Sequence, residues 1–178
     1  MEGKFIVFEG IDCCGKSTQI KKSNNYLFDR GVDVLTTREP SNSKYGEFIK
    51  NSMKENKPLY MDNIVRGREW HINNLISPAI YNGVYVLCEG YVYHTLAYQR
   101  MHGIELSELI KIHAEVLKPD AIFYLDIEPE QAIKRVGKPA DSKKIEFLRE
   151  LKNNFLYTIM TMKEGVITID GSRPADEV

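Results

Sequence analysis

The chain has no apolar run near the roughly 20 residues that cross a bilayer, and no repeat or low-complexity tract. Glu2 and Lys4 precede a strand rather than a signal-peptide core, so no leader and no membrane association are expected. Only three cysteines occur, Cys13, Cys14 and Cys88, and their spacing is not that of a metal site. The adjacent pair is poorly placed for a structural disulfide, and a reducing cytoplasmic location follows as the expectation. Excess charge of one sign is also missing. A net charge of -1 argues against a protein whose task is to hold a nucleic-acid backbone, and favours a small anionic ligand. No Asn-Lys-x-Asp stretch reads guanine, which removes the GTPase reading. With 178 residues, a single domain over 1–178 is expected, long enough to bury a full core.

The organising stretch is Phe5-Ile6-Val7-Phe8-Glu9-Gly10-Ile11-Asp12-Cys13-Cys14-Gly15-Lys16-Ser17-Thr18. An apolar run ending in Gly10, four free positions, then Gly15-Lys16-Ser17 before a helical pattern is the signature of a P-loop. Gly10 and Gly15 let the backbone wrap a polyphosphate, so that successive N–H groups and a helix N-terminus face its oxygens. Lys16 is then placed for the β- and γ-phosphates and Ser17 for Mg²⁺.

Along the chain, apolar runs at 4–9, 32–37, 84–88, 121–126 and 166–170 read as strands. Between them lie helical stretches at 16–30, 44–54, 60–82, 92–101, 105–117, one opened by Pro129, and one at 141–163. Ser41-Asn42-Ser43 suits a cap for the helix at 44, Pro58 a break, and Pro78 an adjustment inside 60–82. Five strands interleaved with helices predict a three-layer α/β domain with a five-stranded parallel sheet. In such a sheet ligands collect at the carboxyl ends of the strands. There stand Glu9 with the loop, Arg38-Glu39-Pro40, Glu89 and Asp126. Arg38 is a candidate phosphate clamp and Glu89 a neighbour of Mg²⁺; Asp126 reads as a helix cap.

Together these residues resemble the thymidylate kinases. The resemblance rests on Phe5 to Asp12 with Gly15-Lys16-Ser17-Thr18-Gln19, and on Thr37-Arg38-Glu39-Pro40. It continues through Arg68, Tyr91 with Thr95-Leu96-Ala97-Tyr98-Gln99, Lys118-Pro119-Asp120 before Tyr124-Leu125-Asp126, and Ile169 to Pro174. It implies a P-loop nucleoside monophosphate kinase fold, transfer of the ATP γ-phosphoryl group to dTMP with Mg²⁺, and a homodimer through the helices at 44–54 and 60–82. The nucleotide-binding set it implies is Gly10, Asp12, Cys13, Cys14, Gly15, Lys16, Ser17, Thr18 and Arg173. Toward dTMP it implies Glu9, Asp12, Arg38, Lys50, Ile64, Arg68, Tyr91, Thr95, Tyr98 and Gln99. Arg38 and Arg68 would hold the acceptor phosphate, Thr95 and Gln99 the base edge, and Tyr98 the sugar. Catalysis would fall to Lys16, Arg38, Glu89 and Arg135, with Ser17 and Glu89 at the metal.

The chain departs from that pattern at several positions. Glu89-Gly90-Tyr91 stands where the family has Asp-Arg-Tyr or Asp-Arg-His, so a cation is missing. Ile64 replaces a phenylalanine that stacks on thymine, and Lys50 replaces an arginine. In the short lid segment, about 135–144, Arg135 and Lys138 are the charges in reach of the phosphates. The family's C-terminal helix would begin at Asp176-Glu177-Val178, leaving its flank of the sheet exposed or covered by a partner. Two alternatives stay open: a nucleotide-binding protein of this fold with weak or lost transfer, and a kinase for another deoxynucleotide, with Ile64 and His94 reshaping the base pocket.

Overall fold

A computed structural model describes residues 2–54, 61–135, 137 and 141–178, with the side chains of Met53 and Lys54 excepted. Pro58 and Lys138 lie outside the described residues. Five strands, β1 (Phe5–Glu9), β2 (Val34–Arg38), β3 (Tyr85–Glu89), β4 (Ala121–Asp126) and β5 (Val166–Asp170), form one parallel sheet in the order β2-β3-β1-β4-β5. The chain leaves β1 toward one edge and β3 toward the other, so a crevice opens at the carboxyl ends of this central pair.

The helices are α1 (Lys16–Phe28), α2 (Lys44–Lys54), α3 (Met61–His71), α4 (Ser77–Tyr81), α5 (Val92–Arg100), α6 (Leu106–Ile112), α7 (Pro129–Arg135) and α8 (Ser142–Met162). Alternation along the strands decides which helices each face receives. In β1, Ile6 and Phe8 meet Ile20 and Leu27 of α1, whereas Phe5 and Val7 face α3 to α6. Val7, Val86, Cys88 and Leu96 are all at most 1% exposed there. At about 1.5–3 kcal/mol for each large apolar side chain buried, this layer contributes substantially to the fold's stability. The long α8 packs on α5 through Leu148, Leu151 and Phe155.

Most of the sequence expectations hold within a residue or two. The second strand starts at Val34 rather than Val32, because the Val32 N–H is used in closing α1, donating to the Leu27 carbonyl. Ser43 caps α2 as expected, accepting from the Gly46 N–H at 3.1 Å. The 60–82 segment is helical from Met61, but Ile72–Ile76 is π-helical, the Ser77 N–H reaching back to the Ile72 carbonyl. Pro78 follows directly; it has no N–H for Asn74, and its ring needs the wider turn. Helix α6 ends at Ile112 instead of 117, with turns at His113 to Val116 that lead into Lys118-Pro119.

Candidate active site

The phosphate loop is a backbone structure. Gly10, Cys13 and Gly15 have φ of 138°, 64° and 109°, and a Cβ at Gly10 would lie 2.8 Å from the Leu125 carbonyl oxygen. Only glycine fits that close approach. Lys16, 7% exposed, turns its ammonium back into the loop and donates to the Gly10 and Ile11 carbonyls, both at 2.8 Å. The buried Cys14 thiol lies 3.8 Å from it, and burial pushes that thiol's pKa up. Ser17 Oγ donates to both Glu89 oxygens at 3.0 Å.

This hydroxyl and carboxylate at the foot of the loop fit a divalent cation whose remaining ligands are phosphate oxygens and water. No cluster of three acidic, histidine or cysteine side chains competes for that role among the described residues.

Around the loop runs an open groove of about 1010 Å³. Cys13 to Gln19, Glu89, Arg135, Arg173 and Pro174 line it. Arg135 donates to the Cys14 carbonyl at 3.4 Å and to the Arg173 carbonyl at 3.0 Å, which puts its guanidinium on the rim. Asp12 on the loop and Thr18 in the first turn of α1 are exposed. Arg38, also exposed, lines a neighbouring groove with Ser17, Lys21 and Glu89, on the α1 side of the sheet.

The second half of the crevice is a cavity of about 600 Å³, mouth included, within the usual range for small ligands. Ile64 and Arg68 of α3, Gly90 and Tyr91 after β3, and His94, Thr95, Tyr98 and Gln99 of α5 line it. The spacing 91, 94, 95, 98, 99 is one face of a helix. Gln99 is 3% exposed, and its amide forms no hydrogen bond with any described residue. Burial and then Lys16 push the pKa of His94 down to about 4.

Arg68, 2% exposed, is the hub of this wall. It makes two bonds to Glu39 Oε2, at 2.9 and 2.6 Å, and donates to Thr95 Oγ1 at 2.7 Å. It also donates to the Tyr91 carbonyl at 3.2 Å and bonds His113 Nδ1 at 3.2 Å. Burial alone would raise the Glu39 carboxyl, but Arg68 and His71 outweigh it and hold it below the usual range. Behind Glu39, His71 bridges to Thr37 at 2.8 Å.

Other sequence candidates fall outside the cavity. Glu9, 1% exposed, accepts from the Tyr91 N–H at 2.8 Å beneath it. Burial, partly offset by Lys16, pushes its pKa up to about 7. Lys50 bonds the Ser41 carbonyl and the Asn42 side chain on the rim. Asp126 pairs with Lys152 at 2.8 Å. Sequence reasoning did not assign roles to Glu39, His71 or His113. The signal for two of them was local: Glu39 follows Arg38, and His71 is one turn beyond Arg68.

A parallel sheet in the order 2-3-1-4-5, with a phosphate loop after its central strand and a separate cavity across the crevice, defines a P-loop kinase architecture. The thymidylate kinase family model matches residues 8–178. The chain is 36% identical to the thymidylate kinase of Caldicellulosiruptor saccharolyticus, over all of this chain and 93% of that one. It is 34% identical to the thymidylate kinase of Francisella tularensis subsp. novicida, over all of this chain and 92% of that one. With a probable thymidylate kinase of Staphylothermus marinus it shares 32% over 99% and 90% of the two chains. The chain belongs to the thymidylate kinase family.

Proposed function

We propose that the chain transfers the γ-phosphoryl group of ATP to dTMP: an acceptor phosphate oxygen attacks Pγ, the bond to the bridging oxygen breaks, and ADP and dTDP leave. The observation that carries this reading is the pairing, in one crevice, of an anion-binding loop with a cavity whose wall presents Arg68, Thr95 and Gln99. Such transfer asks for positioning and positive charge more than covalent chemistry. Lys16 and the loop N–H groups supply this to the donor phosphates, Arg173-Pro174 lie toward the rest of that nucleotide, and Arg135 adds charge at the rim. Ser17 and Glu89 would hold Mg²⁺, which neutralises charge on the phosphate oxygens when bound.

The roles of two arginines separate. Arg68 and Thr95 lie 2.7 Å apart, so they serve the same end of one ligand rather than phosphate and base in turn. Arg68 is also neutralised by Glu39, leaving little net charge for a phosphate dianion. Its place is the base edge with Thr95 and Gln99, while Arg38, beside Glu89, suits the acceptor phosphate. Ile64 covers the base, Tyr98 crowds the sugar, and Glu9 acts beneath the floor by fixing the Tyr91 backbone. Lys50 steadies the 41–42 loop at the rim.

A homodimer through the outer faces of α2 and α3 accompanies this reading. Phe48 is 48% exposed there, and Val65 and Trp70 line an open surface groove; sedimentation tests it. No described helix is long and apolar enough to cross a membrane, and the three cysteines are free thiols, which suits a cytosolic enzyme.

Gly90 favours a second reading, a nucleotide binder with weak transfer, because no cation of the described residues stands at that point of the cavity. A coupled ADP-release assay with ATP and Mg²⁺ over the common nucleoside monophosphates separates the two. The account expects the largest kcat/KM for dTMP; a purine monophosphate in first place, or no ADP release, would overturn it.

A further inference from the structure

A second cavity, about 750 Å³ with its mouth, lies on the other side of Tyr91, between the sheet and helices α5 and α6. Val7, Val92, Leu96, Ile110 and Met162 give it apolar walls. At the mouth, Lys118 stands 3.6 Å from Glu164, which also accepts from the Tyr93 hydroxyl at 2.9 Å. At the inner end are Glu9 and His113, 1% and 4% exposed. Each has a buried polar atom without a hydrogen-bond partner among the described residues, Glu9 Oε2 and His113 Nε2. Buried polar atoms are rarely left so, and the unmatched His113 Nε2 at this apolar cavity points to a ligand.

The proton positions follow from Arg68. A guanidinium only donates, so His113 Nδ1, 3.2 Å from Arg68, must be the acceptor nitrogen. The ring proton then sits on Nε2 as an unmatched donor. Burial and Arg68 push the pKa of His113 down to about 4, keeping the ring neutral. A cation here would face Arg68 behind the imidazole. An anion would lose its hydration against aliphatic walls and face Glu9. What fits is an uncharged body with a single acceptor.

We propose that this cavity is a second ligand site, for a small neutral molecule with an aryl or branched aliphatic body and one carbonyl oxygen that accepts from His113 Nε2–H. Its occupancy reaches the nucleotide cavity by two short routes. Tyr91 lines both cavities, its hydroxyl donating to the Leu117 carbonyl and its ring lying 5.0 Å from the Arg68 guanidinium. His113 holds Arg68 directly. A ligand that draws on His113 or presses on Tyr91 therefore changes how Arg68 is held at the base edge.

Acetophenone is the probe, and ethylbenzene, which lacks the oxygen, is its control. Methyl NMR of Val92, Leu96, Ile110 and Met162 during titration of the full chain reads binding without reference to any nucleotide. Acetophenone should give saturable shifts at these methyls, and ethylbenzene should bind about tenfold more weakly for want of the hydrogen bond. Ile110→Trp or, at the turn after α6, Val116→Phe should fill the space and abolish the shifts while the folded spectrum is kept. Saturating acetophenone should also change dTMP affinity about threefold or more in the parent and not in the filled variants. The proposal is overturned by no saturable shift, by equal binding of the two probes, or by shifts that persist in both variants. Binding with an unchanged dTMP affinity would overturn the coupling. Because the methyl shifts need no nucleotide, their failure is distinguishable from failure of the dTMP reading.

Discussion

The two halves of the crevice are built by opposite means. The phosphate loop is local and made of backbone: Lys16 bonds carbonyls five and six residues away, and glycine geometry sets the curve. The cavity across from it is assembled from afar: Arg68 reaches Glu39 across 29 residues, Thr95 across 27 and His113 across 45. A local loop keeps its shape when a remote side chain changes. A remote network is coupled, because Glu39, Thr95, His113 and the Tyr91 carbonyl all lose a bond when Arg68 is removed.

The sharpest break in this comparison is Arg68→Ala. It leaves Glu39 in the interior with His71 as its remaining side-chain partner, and should cost about 3–5 kcal/mol in urea unfolding. A loss below about 1 kcal/mol would show that water replaces the guanidinium and that the wall is not a unit.

Next in size is Arg135→Ala, which removes the cation at the rim of the loop. It should lower kcat by about tenfold to a hundredfold with little change in the KM for dTMP, since the charge acts on the transferring group. Full activity would mean that another group supplies what Gly90 lacks.

Three titratable groups, Glu9, His94 and His113, belong to the cavity wall and the layer beneath it, and they sharpen the contrast through pH. His94 and His113 have folded pKa values near 4 against 6.5 when exposed, so unfolding takes up two protons between those values. Glu9, near 7 against 4.5, releases one. Between pH 4.5 and 6.5 the unfolded state binds one more proton net, so stability should rise with pH by about 1.4 kcal/mol per unit. Above 6.5 only the Glu9 contribution remains, and it falls as pH approaches 7. Urea midpoints across this range test it, and a flat profile contradicts the buried assignments.

The smallest effect is expected from Gly90→Arg. Gly90 has φ of 71°, and its nearest neighbours would lie 3.8 Å from an added Cβ. There is room, but the left-handed backbone should cost about 1–2 kcal/mol. With Arg135 already at the loop, the rate should not rise. A large gain in kcat would restore the expectation that a cation belongs at this position.

The same contrast explains what could be read from the sequence. Strand, loop and helix around Gly10 to Ser17 were legible because the constraint acts on neighbouring residues. The sheet followed from the alternation of apolar runs. Thr95, Tyr98 and Gln99 came from the family resemblance, and their spacing fits the one face of α5 on which they lie. The bond between Arg68 and Thr95 was not legible, since it depends on a contact between α3 and α5. Glu39 carried no sign of its task, because a carboxylate after a strand is ordinary until an arginine is folded onto it. His113 was hidden by the early end of α6, which turns its ring inward.

The central claim, that loop and cavity hold separate ligands for one transfer, is tested most directly by crossed calorimetry and rates on Lys16→Ala and Gln99→Leu. Lys16→Ala should lose about 10³-fold in kcat and weaken ATP binding, with dTMP affinity unchanged. Gln99→Leu should weaken dTMP about tenfold and leave ATP binding as in the parent. If each variant weakened both ligands alike, or if Lys16→Ala turned over dTMP as fast as the parent, the division of the crevice would be wrong.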